Sequence, residues 1–114
     1  MATILVMSAG HGGQAMAGDL ALRGHDVRLY EHPDFQATID AINAKGGVIT
    51  LENKIFGQGK LALATTDIAA AMKGAQYIYF TAPSFAQKPF FALALPYFED
   101  GQVVILLPGN SGPF

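Results

Sequence analysis

Between Thr3 and Glu31 the chain passes from a short β-forming run, through a cluster of glycines, into a helically spaced segment, and back to a second alternating run. Few local structures satisfy that order. Thr3–Met7 is largely apolar, and the glycines after it let backbone N–H groups approach a ligand at the start of the next helix. A turn of that shape holds an anion. From about Gly13, the residues Met16, Ala17 and Leu20 fall on one helical face, and Gly24 is placed to cap the helix end. Val27 and Leu29 then alternate with Arg28 and Tyr30 in a second strand that Glu31 closes.

The pattern G-x-G-x-x-G fits the turn in two frames. In the frame that best matches the strand end, its positions are Ser8, Gly10 and Gly13; in the other, Gly10, Gly12 and Ala15 give the variant ending in alanine. The first frame is preferred. It puts Gly10 where the backbone must approach phosphates and Gly13 where helix and strand touch, with Ser8 replacing the first glycine. His11 and Gly12 lie inside the same turn. Glu31 falls 23 residues after Ser8, near the spacing of an acid that accepts hydrogen bonds from an adenosine ribose. Such a carboxylate repels a 2′-phosphate by roughly 1 to 4 kcal/mol for unit charges about 4 Å apart, which favours NAD over NADP. Alone, the glycines read as an ordinary tight turn and Glu31 as a solvated strand-end acid. Their succession points to dinucleotide binding.

With 114 residues, 51% of them hydrophobic and 14% charged, the chain is long enough for one domain with a real core, which excludes disorder. Its net charge of −2 and lack of a Lys/Arg cluster make nucleic acid and anionic membranes poor partners. The absence of cysteine removes disulfides, zinc–cysteine sites and thiol catalysis, and fits a reducing, cytoplasmic setting. No apolar stretch approaches the roughly 18 residues of a spanning helix.

Further along, Pro33 to Lys45 reads as a helix with Phe35, Ile39 and Ile42 on its inner face, ended by Gly46 and Gly47. Val48–Glu52 and Lys54–Gly57 read as two strands about a turn at Asn53. Leu61–Thr65 is another strand, followed by an N-cap at Thr66–Asp67 and a short helix ending near Gly74. Tyr77–Thr81 and Val103–Leu107 read as buried parallel strands, with a helix starting near Pro89 between them. The fold class expected is α/β: a Rossmann-type doubly wound, mainly parallel sheet in three layers, with a β-hairpin insertion.

In such sheets ligands sit beyond the carboxyl ends of the strands. Ala82 and Pro83 follow one strand, and Pro108, Gly109 and Asn110 follow another, so both segments are candidate coenzyme contacts as well as ordinary turns. His11, His25 and His32 have no zinc-ligand spacing, so no metal site is assigned. Ser84 and Ser111 lack the context of a nucleophile elbow, Lys88 reads as solvated, and Tyr77 and Tyr79 share one strand face as packing residues. Val103–Leu107 is apolar on both faces although little chain follows it. Residues 1–114 are therefore expected to be a dinucleotide-binding domain that lacks a C-terminal catalytic domain, with homo-oligomer formation a further expectation.

The whole chain resembles the N-terminal coenzyme domain of the octopine/nopaline (opine) dehydrogenases, within a broader group that includes glycerol-3-phosphate dehydrogenases and ketopantoate reductases. The resemblance rests on residues 10–17 with 20–27, on Ala64–Ile68, on Thr81–Ser84 and on Gly101–Gly112. The chain departs from the family pattern at Ser8, usually glycine, and His11, usually asparagine. The resemblance implies an NAD(P)-dependent oxidoreductase acting on CH–NH donors, in which a nicotinamide reduces the imine of an amino acid and a 2-oxo acid. It also implies that the catalytic histidine and aspartate lie in a C-terminal helical domain, so no catalytic residue is assigned here and the 114-residue chain is expected to be inactive alone. The alternatives are a glycerol-3-phosphate dehydrogenase-like or ketopantoate reductase-like coenzyme domain, or a stand-alone NAD-binding regulatory module.

Overall fold

A computed structural model describes residues 2–7, 11–52, 56–80 and 90–106. β1 (Thr3–Met7) leads to α1 (His11–Leu22) and β2 (Asp26–Tyr30), and a 3-10 turn (Pro33–Phe35) leads to α2 (Gln36–Ala44). After the hairpin strands β3 (Val48–Glu52) and β4 (Phe56–Lys60) come β5 (Leu63–Thr65), α3 (Ile68–Met72) and β6 (Tyr77–Phe80). Helical residues 90–94 continue into a 3-10 turn (Leu95–Tyr97) and then β7 (Val103–Leu106).

Five strands form one parallel sheet in the order β5-β2-β1-β6-β7. The chain starts at the middle strand, winds to one edge, and returns past the middle to the other. Because successive side chains of a strand point to opposite faces, that sheet needs cover on both sides. Ile4, Val6, Val27, Leu29 and Ala64 pack on one face with Ala17 of α1, Ile39 and Ile42 of α2 and Ile49 of β3. Leu5, Met7, Tyr30, Ile78 and Phe80 pack on the other with Ala71 and Met72 of α3 and with Phe90 and Ala94. This is the expected doubly wound, three-layer α/β architecture.

The hairpin is a sheet of its own, β3 antiparallel to β4, lying on α1. Its second strand runs over Phe56–Lys60 rather than the expected Lys54–Gly57, and Asn53 lies outside the described residues. Residues 57–60 (Gly-Gln-Gly-Lys) have little strand propensity, so pairing with β3 and the close seat on α1 make them a strand.

Local chemistry sets the helix ends. Gly24, at φ 95°, terminates α1 in a Schellman arrangement: His25 N donates to Leu20 O at 3.2 Å and Gly24 N to Ala21 O at 3.0 Å. The Asp67 carboxylate caps α3, accepting from Ala69 N and Ala70 N. At the far end of α3, Arg28 Nη1 donates to the carbonyls of Ala71, at 3.1 Å, and Lys73. A cation at a helix C-terminus meets the negative end of its dipole.

Three expectations about packing change. The helix expected from Pro33 opens as a 3-10 turn, and Phe35 at its end takes φ −115°, ψ 35°, which turns it off the Ile39–Ile42 face and leaves it 59% exposed. Tyr79 packs against the core, but Tyr77 is 38% exposed. Its partner across the ladder, Val103, is 47% exposed. Among the described residues, the helical segments that join β5 to β6 and β6 to β7 pack on the opposite face, so β7 is not covered on both sides.

Candidate functional site

The β1–β2 ladder pairs Met7 with Tyr30, so both strands finish at the same level of one sheet edge. Immediately beyond that edge lie the start of α1 and Glu31. α1 begins at His11, slightly earlier than expected, and has no acidic residue in its first turn. Its initial N–H groups therefore meet no carboxylate from that turn, and the positive end of the helix dipole faces the strand ends. Gly13 is buried in this first turn.

Glu31, the residue that follows β2, is only 7% exposed. Its backbone N–H donates to Thr65 O at 3.1 Å, extending the β2–β5 ladder by one rung, and its Oε1 accepts from His32 N at 2.8 Å. Those bonds orient the carboxylate at the strand end. His32 is half-buried beside it; its Nδ1 accepts from Asp34 N at 3.0 Å and lies 3.4 Å from Asp34 Oδ2. A turn tied by its own side chain holds the entry to α2.

Below Glu31, Tyr30 turns to the other sheet face and meets Phe90 edge to face, with ring centroids 6.1 Å apart. Burial raises the Tyr30 phenol above its ordinary value, and the carboxylates of Glu31 and Asp67 raise it further. The strand-end acid is thus part of a negatively charged rim formed where β2 and β5 finish together. Reading the sequence identifies Glu31 and the Asp67 cap separately. Their common neighbour Tyr30 becomes visible only once β5 is known to pair with β2.

Of the residues singled out from sequence, His11, Gly12, Gly13 and Glu31 are placed at this edge, the first two by their backbone position. Ser8, Gly10, Ala82, Pro83, Pro108, Gly109 and Asn110 lie outside the described residues. The strands that precede all of them, β1, β6 and β7, end in register there, through Met7↔Phe80 and Phe80↔Leu106. His25 belongs to the opposite end of the sheet, where its Nδ1 accepts from Ala2 N at 3.2 Å. A helix start and a carboxylate at the ends of adjacent strands are the kinds of group that hold a pyrophosphate and a ribose. Among the described residues no group of three His, Cys, Asp or Glu could hold a metal ion, and no helix is long and apolar enough to cross a membrane.

Comparison with known proteins agrees with this geometry. The family described as the N-terminus of NAD-dependent glycerol-3-phosphate dehydrogenase matches residues 3–108. The opine dehydrogenase of Arthrobacter sp. (strain 1C) is 34% identical over 110 residues, covering 96% of this chain and 30% of that enzyme. The structure of octopine dehydrogenase with NADH and L-arginine superposes with a TM-score of 0.77 at 22% identity, over 94% of this chain and 28% of its own. A ketopantoate reductase from Ralstonia eutropha JMP134 gives a TM-score of 0.73 at 27% identity, over 89% of this chain and 32% of its own. The chain spans about 30% of the length of the opine dehydrogenases it matches. The resemblance drawn from the sequence therefore holds, and because the family match runs through all seven strands, the chain belongs to the NAD-dependent glycerol-3-phosphate dehydrogenase N-terminal family, a group of NAD-binding Rossmann domains.

Proposed function

We propose that this domain serves an opine-type dehydrogenase, holding NAD(H) with the start of α1 on the pyrophosphate and Glu31 on the adenosine ribose. The buried carboxylate of Glu31 at the end of β2, next to α1, is the observation that carries the reading. In it, Ser8, Gly10, His11, Gly12 and Gly13 surround the pyrophosphate, and Ala82, Pro83, Pro108, Gly109 and Asn110 lie toward the nicotinamide half. The reaction is reductive condensation of an amino acid with a 2-oxo acid, and the similarity to opine dehydrogenases along most of the chain supports it.

Hydride transfer needs the donor carbon held against a positioned substrate, and orientation of that kind supplies roughly 7 to 11 kcal/mol of a barrier. A C-terminal domain, as the length of the relatives suggests, completes the site in this reading; residues 1–114 bind coenzyme without turnover. A cytoplasmic location and association between copies belong to the same proposal. The second reading, a glycerol-3-phosphate dehydrogenase, is favoured by the family match. Assaying the full-length protein with amino acid and 2-oxo acid mixtures against glycerol 3-phosphate separates the two.

Coenzyme assignment is tested by calorimetry of NADH and NADPH with wild type and Glu31→Ser. A carboxylate facing a 2′-phosphate at roughly 1.4 kcal/mol or more gives NADH an advantage of about tenfold or greater, and the serine variant loses it. Equal affinities in wild type, unchanged by the substitution, would remove Glu31 from the site.

A further inference from the structure

We propose that the hydrogen bond between Thr66 and Gln36 is a clamp that positions the Glu31 carboxylate for the coenzyme, an inference that rests on the dinucleotide reading of Glu31. Thr66 Oγ1 donates to Gln36 Oε1 at 2.6 Å, joining the residue after β5 to the first residue of α2. Gln36 also donates through Nε2 to Asp40 Oδ1 at 3.0 Å, one helical turn further on. A glutamine amide has one accepting oxygen and one donating NH2. The Asp40 carboxylate takes the NH2, and that turns the oxygen toward the Thr66 hydroxyl.

This bond closes a ring that contains Glu31. Glu31 N donates to Thr65 O at 3.1 Å, so segment 31–36 is bound at its first residue to Thr65 and at its last to Thr66. Between those points, His32 N donates to Glu31 Oε1 at 2.8 Å, Phe35 N to His32 O at 2.8 Å and Gln36 N to Pro33 O. The N–H that holds the carboxylate thus belongs to a short loop whose two ends are fixed on adjacent residues of one strand end. Both supports are firm: Ile39 and Ile42 seat α2 in the core, and β5 pairs with β2. Further along α2, Asn43 Nδ2 donates to Ala64 O at 3.1 Å, so opening the clamp frees the 31–36 turn without detaching the helix. A carboxylate fixed in advance loses little freedom on binding, and its bonds to a sugar weaken steeply when misaligned. Thr66 and Gln36 are therefore positioning residues that act on the coenzyme through Glu31.

The test is a mutant cycle in the full-length protein. Calorimetry measures NADH affinity for Thr66→Val, Thr66→Ser and Gln36→Ala, each with Glu31 intact and with Glu31→Ala, and thermal melting checks folding. Valine keeps the shape of threonine without its hydroxyl, and serine keeps the hydroxyl. Gln36→Ala removes the same bond from the other side, at an exposed position where the fold is not at risk. With Glu31 present, Thr66→Val and Gln36→Ala each weaken NADH about three- to tenfold, as loss of one hydrogen bond does, and Thr66→Ser binds as wild type. The two changes together cost no more than either alone, since they break one bond. With Glu31→Ala they have no further effect, which a merely structural role would not produce. Full NADH affinity in folded Gln36→Ala and Thr66→Val, or an equal loss with and without Glu31, overturns the clamp while the coenzyme site stands. NADH binding as tight in Glu31→Ala as in wild type overturns the reading of Glu31 and the clamp with it.

Discussion

Replacing Gly59 with alanine adds one methyl group where β4 rests on α1, and the structure decides the sign of its effect. Gly59 does not use a left-handed backbone, so conformational strain is absent. On backbone entropy alone, alanine there stabilises by about 0.4 to 1 kcal/mol, because it restricts the unfolded chain. Packing opposes this. The new Cβ would lie 2.1 Å from the carbonyl oxygen of Gly18, 2.9 Å from its carbonyl carbon and 3.1 Å from Ala21 Cβ. Favourable contacts between such atoms lie near 3.5 Å, so hairpin and helix must separate by about 1 Å. No rotamer relieves a clash with main chain. Retreat of β4 opens the cover over Ile49, while retreat of α1 lifts Ala17 from the sheet core.

Overpacking of this kind costs about 1 to 3 kcal/mol, and an opponent made of backbone puts this site at the upper end. After the entropic gain, a net loss of about 2 kcal/mol remains, which for a domain of this length lowers the melting temperature by roughly 6 to 12 °C. Thermal and urea unfolding measure the loss, and amide exchange locates it, since the β3 and β4 amides should lose protection first. Gly24→Ala provides the contrast: its φ is 95° with nothing within 4 Å of an added Cβ, so it tests backbone strain without packing. A Gly59→Ala protein that melts at or above wild type refutes the close-contact argument.

Two further substitutions probe the charges that organise the sheet edges. Arg28→Met keeps most of the side-chain stem but removes the cation bonded to the carbonyls of Ala71 and Lys73, and should lower stability in urea by about 1.5 to 3 kcal/mol; an unchanged midpoint would deny the cap any role. Tyr30→Phe concerns alkaline pH. The unfolded tyrosine ionises at its ordinary 10.0 while the folded phenol keeps its proton to higher pH, so wild-type stability falls as pH rises from about 10 towards the raised folded value. Phenylalanine abolishes that component, and the difference between the two proteins in denaturant midpoints from pH 8 to 11 measures it. Parallel pH profiles would remove the desolvated phenol from the account.

Most of the fold was legible because local rules and tertiary demands agree over much of the chain. A continuous apolar run in β1, alternation in β2, helical period in α1, and glycines at the first junction state the βαβ unit directly. Gly24 and Asp67 mark helix ends through bonds to their near neighbours in sequence. The same reasoning reached Glu31 as a strand-end acid, since spacing along the chain carries that information. It did not reach the burial of Glu31, which depends on pairing β2 with β5, or the raised phenol of Tyr30 between two carboxylates from different strand ends.

Where local preference was weak or ambiguous, tertiary structure decided. Residues 57–60 are strand because β3 offers a partner and α1 a surface that tolerates only glycine at Gly59; nothing in their own composition demands it. Phe35 carries the helical period yet stands in solvent, because the 3-10 entry to α2 alters the phase at that one residue. The two apolar faces of Val103–Leu107 looked like the mark of a strand covered twice. Tyr77 and Val103, paired across the ladder, remain open because the described helical segments returning to β6 and β7 share the opposite face, and a sequence specifies which residues point together but not which layer arrives to meet them. Sequence alone thus determined the periods, caps and coenzyme motif, whose physics is local. Three-dimensional packing determined strand order, burial of charge and the exposed faces, since those depend on contacts between residues far apart in the chain.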